Sequence, residues 1–191
     1  MTLEPRERLL ATAYDLFSRH GVRAVGVDRI IAESGVAKMT FYRHFPSKDR
    51  LVVAFLDRRE RLWTTDWLIA SVEQAADEPV GRLLAVFDVF DAWFQREDFE
   101  GCSFINVLLE MGAEGNVGHA STNQLANIRA FLSDLARAAG VRDADHTARQ
   151  IHILMKGSIV AAQEGDRKAA QRAREVAALL LAHETEVSSV Q

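Results

Sequence analysis

Thiol chemistry is nearly missing from this 191-residue chain, which has one cysteine, Cys102. An intrachain disulfide framework is thereby excluded, and the usage suits a reducing cytoplasm, the expected location. Prolines number three and runs of β-branched residues are few, which turns the reading toward helices. No apolar run approaches the ~18 residues that a span needs, and no signal-peptide pattern opens the chain, so no membrane partner is expected. Metal-ligand spacing is absent: the six histidines are scattered, and neither a metal nor a cofactor is expected. No internal repeat or low-complexity segment is evident. Positive charge is short as well. The net charge of −4 does not suit a nucleic-acid binder if the chain is taken whole.

The distribution of charge says more. Residues 1–50 hold nine Lys/Arg against six Asp/Glu, and residues 51–191 hold fourteen against twenty-one. The positive end also carries the most legible stretch, Val27 to Leu51. Ile30 and Ile31 give a first short helix its apolar face. Ser34-Gly35-Val36-Ala37 reads as a turn, with Gly35 free to take a left-handed backbone. Lys38 to Phe45 reads as a second helix whose Phe41 and Phe45, four apart, point inward. Lys38, Met39, Thr40, Tyr42, Arg43 and His44 are left on or near the outer face. Basic, hydroxyl and aromatic groups outward on a short helix are what a major groove accepts. Lys38, Thr40, Arg43 and Met39 are the candidates for base edges, since Lys and Arg suit guanine acceptors and Thr and Met a thymine methyl. Tyr42, His44 and Lys48 are the candidates for phosphates. An upstream helix from Pro5 to Gly21, with Leu9, Leu10, Ala13, Leu16 and Phe17 as its stripe, completes a three-helix core. Ser47 caps the next helix, with Asp49 in its first turn.

Taken together, the N-terminal helix, Gly-Val-Arg, V-D-R-I-I-A-E-S-G-V, F-Y-R-H-F and S-K-D-R-L resemble the DNA-binding domain of the TetR family of transcriptional regulators. The resemblance covers about the first fifty residues. Three positions depart from the family's commonest pattern: Gly26 and Ala37 replace frequent hydroxyl caps, and Met39 stands where Gly is frequent. A lost cap costs about 0.5–2 kcal/mol, which weakens the local helix starts and leaves the motif in place. The resemblance implies an all-α fold. Residues 1–50 would form a helix-turn-helix DNA-binding domain, joined to a larger helical domain of residues 51–191 that binds an effector and dimerises. It implies a double-stranded DNA operator, a small-molecule effector, a homodimer through the two C-terminal helices, and no enzymatic activity.

The second part reads as further helices. One from Ser47 runs to about Ala70, with Leu51, Val52, Phe55, Leu56, Leu62 and Trp63 on its apolar face. Asp77-Glu78-Pro79 starts another, from Val80 to about Glu97, which is apolar nearly all round and so expected to be buried. A shorter helix follows from Phe104 to Met111, then a loop from Ala113 to Gly118. Ser121 and Gln124 have capping-box spacing before the next helix, which Gly140 closes. The last two helices run from about Asp143 to Gln163 and from Arg167 to about Glu184, followed by a polar, frayed tail after Glu186. Their stripes, Ala148, Ile151, His152, Met155, Ile159 and Ala162, and Ala170, Ala173, Ala177, Leu180 and Leu181, suit either a dimeric four-helix bundle or closure of the subunit's own core. Candidates for a ligand pocket are Phe87, Phe90, Phe94, Phe104, Met111 and Met155 as apolar surface, and Asn106, Arg129 and His152 as polar groups. Gly101-Cys102 through Asn106 resembles a Gly-Cys-x-x-x-Asn segment in one branch of the same family. A thiol at a helix start can have a lowered pKa, which leaves a redox or electrophile sensor as the alternative to a packed turn. A small thiol hydrolase is the remote third reading, because no base stands beside Cys102 in a known order.

Overall fold

The computed structural model describes residues 3–188, which form helices and no strand. The chain divides into two compact units, 1–61 with 102–125, and 62–101 with 126–191.

The first unit opens with α1, Pro5–His20, which starts on proline and ends at Gly21 with φ +77°. Helix α2, Val27–Ser34, and helix α3, Lys38–His44, are each about two turns long. Helices this short are not stable alone and depend on buried side chains. Ile30, Val36, Phe41 and Phe45 supply them, against Leu9, Ala13, Leu16 and Phe17 of α1. Helix α4, Lys48–Arg59, closes the other side of α1. There Phe55 meets the rings of Tyr14 and Phe17 edge-on at 5.5 Å each. The cap on α4 is the expected one: the Ser47 hydroxyl accepts the Arg50 N–H. Helix α7, Ser103–Met111, packs on α4 within this unit.

The helix from Ser47 does not end near Ala70. A π-helical stretch, Glu60–Ile69, continues it into α5, Ala70–Ala75. The wider turn alters the facing of the side chains, so Leu62, expected inside, is exposed, while Trp63 and Leu68 are buried. In the second unit α6, Pro79–Phe94, ends three residues earlier than expected and is buried on most sides, as expected. Trp63, Trp67 and Trp93 form a ring cluster with centroids 5.1–5.7 Å apart.

Helix α8, Gly115–Ala138, overturns the expected loop at 115–118, leaving 113 and 114 as a bend, and overturns the expected cap at Ser121. Ser121 is fully buried in mid-helix, so its spacing to Gln124 starts nothing. Helices α9, Ala144–Gln163, and α10, Ala169–Ser188, follow. The Asp143 side chain caps α9 by accepting the His146 N–H at 2.9 Å. Of the tail expected to fray after Glu186, residues 187 and 188 are helical and the rest lies outside the described residues. Helix α10 packs on both α6 and α9. The stripes offered for a dimer bundle are buried within this unit, except the partly exposed Leu180, and so close its own core.

Candidate DNA-binding site

The turn between α2 and α3 is built from the glycine outward. Gly35 sits at φ +63°, ψ +26°, where a side chain would be strained, and its N–H reaches the Ala32 carbonyl. Ser34 reinforces the turn by donating to Ile31 O at 3.1 Å and accepting the Val36 N–H at 3.4 Å. With Phe41 and Phe45 buried, the orientation of α3 is fixed from beneath.

Above that core the outer face is open. Met39 is 81% exposed, Lys38, Tyr42 and Arg43 are exposed, and Thr40 and His44 are half-buried. No side chain caps α3. The Thr40 and Phe41 N–H groups both donate to the Ala37 carbonyl. Lys38 is steadied by Asp28 of α2 at 3.5 Å, an exposed pair of small energetic weight. The Tyr42 ring stands edge-on to Phe41 at 5.1 Å, on an exposed residue. The arrangement offers donors and apolar groups from one short helix to a groove and hydroxyl and imidazole groups at its flank.

Lys48 is placed differently from a free phosphate contact. Its ammonium donates to the Val22 carbonyl at 2.5 Å, so one of its three N–H groups is committed inside the unit. Partial burial lowers its pKa, while Glu110 and Asp49 oppose that shift. Glu110, on α7, also accepts the Arg23 N–H at 2.8 Å. Nothing in local sequence signals this contact across 87 positions.

The residues suggested for a ligand fall into two sets. Phe87, Phe90 and Phe94 are fully buried on α6, with the rings of Phe90 and Phe94 5.7 Å apart. His152 and Met155 are buried one turn apart on α9. Burial first, then Lys156 and Arg129, hold the His152 imidazole neutral with a pKa of about 4. Arg129 itself is half-buried and lines an open groove with Asp134, Arg137, Asp145 and Arg149, where two of the arginines are already paired with aspartates. Cys102, Phe104 and Asn106 belong to the first unit instead.

Cys102 lacks the lowered pKa that the sensor alternative requires. The thiol is buried, and desolvation raises its pKa despite the Ile105 and Phe104 amides and the Arg59 charge. A neutral buried thiol is a small apolar group in a packed turn and a poor nucleophile. Among the described residues no group of three or more His, Cys, Asp and Glu is placed to hold a metal. No described helix is long and apolar enough to cross a membrane.

Comparison with known proteins agrees with this geometry. Residues 9–55 match the family model for bacterial regulatory proteins of the tetR family. The crystal structure of SCO4454, a TetR-family transcriptional regulator from Streptomyces coelicolor, superposes with a TM-score of 0.82 over 94% of this chain and 95% of that one, at 28% identity. The N-terminal domain is that of the TetR family. Among curated TetR-type relatives, the transcriptional repressor KstR of Mycolicibacterium smegmatis is 29% identical over 153 residues, 78% of this chain and 69% of KstR. The transcriptional activator FasR of the same organism is 39% identical over 72 residues, 38% of this chain and 31% of FasR. The chain spans about half or less of the length of several curated regulators that it matches. The all-α fold with an N-terminal helix-turn-helix is that of the family. It is a family of transcription regulators, not one defined by a catalytic reaction.

Proposed function

We propose that this protein is a cytoplasmic homodimer of the TetR type that binds a palindromic operator and is released from it by a small-molecule effector. Residues 1–50 bind the operator, and residues 51–191 bind the effector and dimerise. The observation that carries the DNA reading is the outer face of α3: Lys38, Met39, Thr40 and Arg43 stand outward on a helix held from beneath by Phe41 and Phe45. Lys38, Thr40, Arg43 and Met39 read base edges, while Tyr42, His44 and the two remaining N–H groups of Lys48 hold phosphates. Repression is favoured by the likeness to KstR, which extends well beyond the helix-turn-helix.

Pairing uses the outward faces of α9 and α10, where Ile153, Val160, Val176 and Leu179 are exposed apolar side chains. A groove of about 360 Å³ between these helices, lined by Ile153, Leu154, Gly157, Ala161, Ala173 and Val176 among others, gives a second copy room to approach. The effector set is drawn within the second unit, from Phe87, Phe90, Phe94, Arg129, His152 and Met155. Effector binding favours a conformer whose two recognition helices no longer match the operator spacing.

Selection of duplexes from a random pool by the purified full-length protein tests this reading. A palindromic enrichment is expected, and Arg43→Ala should relax preference at one position per half-site by about 1–3 kcal/mol. Enrichment of no sequence, with binding at low salt alone, would leave phosphate attraction only and sink the proposal.

A further inference from the structure

The loop between α1 and α2 is gripped from two sides. From α7, the Glu110 carboxylate accepts the Arg23 N–H at 2.8 Å. From the first turn of α4, the Lys48 ammonium donates to the neighbouring Val22 carbonyl at 2.5 Å. The same carboxylate occupies the space where a side chain would start at Gly21: a Cβ there would lie 2.4 Å from Glu110 Oε1. Gly21 also stands at φ +77°, so the loop needs glycine for its backbone and for the room it leaves to Glu110. Val22 and Val25 are fully buried on either side, which makes the loop a fixed strut into the core. Helix α2 begins four residues after Arg23, and α3 packs on α1 and α2.

We propose that Glu110 is a positioning residue for operator binding, fixing the α1–α2 loop and through it the setting of α2 and α3. This rests on the DNA-binding reading above. The sign of its charge makes the proposal sharp. A carboxylate on the unit that meets a polyanion opposes DNA binding by simple attraction and repulsion. Removing it should therefore tighten binding if charge is all that it contributes. It should weaken binding if its hydrogen bond sets the geometry. Glutamine keeps an oxygen for the Arg23 N–H and drops the charge, so it separates the two.

The experiment uses the full-length protein, the operator selected above, and an unrelated duplex of equal length. Glu110→Ala is expected to lose about fivefold or more in operator affinity, while its affinity for the unrelated duplex stays the same or rises. Amide hydrogen exchange at Arg23 should quicken in that variant. Glu110→Gln should recover most of the operator affinity. If alanine abolishes cooperative unfolding, aspartate replaces it: one methylene shorter, it withdraws the oxygen and keeps the charge, so it must weaken operator binding more than glutamine does. Operator affinity equal to or above wild type in Glu110→Ala, or aspartate performing better than glutamine, would overturn the role. If the wild type selects no duplex at all, the DNA-binding reading itself fails and takes this role with it. Selection by wild type with an indifferent Glu110→Ala removes the role alone.

Discussion

At Gly118 there is neighbouring backbone where any other residue would carry a Cβ. That atom would sit 2.4 Å from the Ala113 carbonyl carbon and 2.5 Å from the Gly112 oxygen. A flexible side chain could yield; backbone at the head of α8 cannot. Gly118→Ala is expected to lose about 2–4 kcal/mol of stability by urea unfolding, against near-neutrality at Gly26, which has nothing within 4 Å. His152 gives a residue-scale expectation in pH. Its folded pKa of about 4 lies below the ordinary imidazole value of 6.5, so the unfolded chain binds more protons between those values. The stability due to neutral His152 is therefore complete above about pH 6.5 and is lost as pH falls toward 4, by roughly 3 kcal/mol in all. In His152→Leu, the stability difference from wild type should change with that slope over that window and level off outside it. A difference independent of pH would mean that the imidazole is not held neutral by its surroundings.

The elements show why some of this was legible and some not. Strong local signals were sufficient for α1, α2 and α3: proline at a start, glycine at positive φ, and apolar residues at helical spacing. The π-helical stretch at Glu60–Ile69 has no such signal; its Trp63 and Trp67 rings pack with Trp93, which is distant in sequence. An α-helical period over this stretch therefore puts Leu62 inside, whereas it is exposed. Gly115 and Gly118 looked like loop because glycine is a poor helix former, yet at Gly118 tight backbone packing excludes anything larger. The outer face of α3 could be read from a period of 3.6; the hold of Glu110 on Arg23 could not, since it joins distant segments. The same limit applies to α9 and α10, whose small-residue stripes close their own core. Their outward residues make the testable surface. Leu179, 73% exposed on α10, is an apolar side chain that its own subunit leaves largely uncovered. If the proposed dimer forms through this face, Leu179→Glu should leave a monomer by light scattering, with helix content and unfolding midpoint little changed. A variant that remains dimeric would place the interface elsewhere.

At the scale of the whole molecule, the net charge of −4 conceals an opposition between its ends. Residues 51–191 carry seven more acids than bases and repel a polyanion, so attraction must come from the few cations near α3. Operator affinity should then fall steeply with salt, and each phosphate-bound cation should contribute about 0.9 to the slope of log affinity against log salt. Arg43 and Lys48 separate the two kinds of contact. Arg43 is exposed on the outer face of α3, so Arg43→Ala should lose discrimination at one base position. Lys48 keeps two N–H groups beyond the one on Val22, so Lys48→Met should lower the salt slope by about 0.9 for all sequences alike. It should also loosen the loop that Lys48 shares with Glu110, which discriminates between its roles. A Lys48→Met variant with an unchanged slope but reduced operator preference would make Lys48 a strut for the α1–α2 loop and remove it from the phosphate contacts.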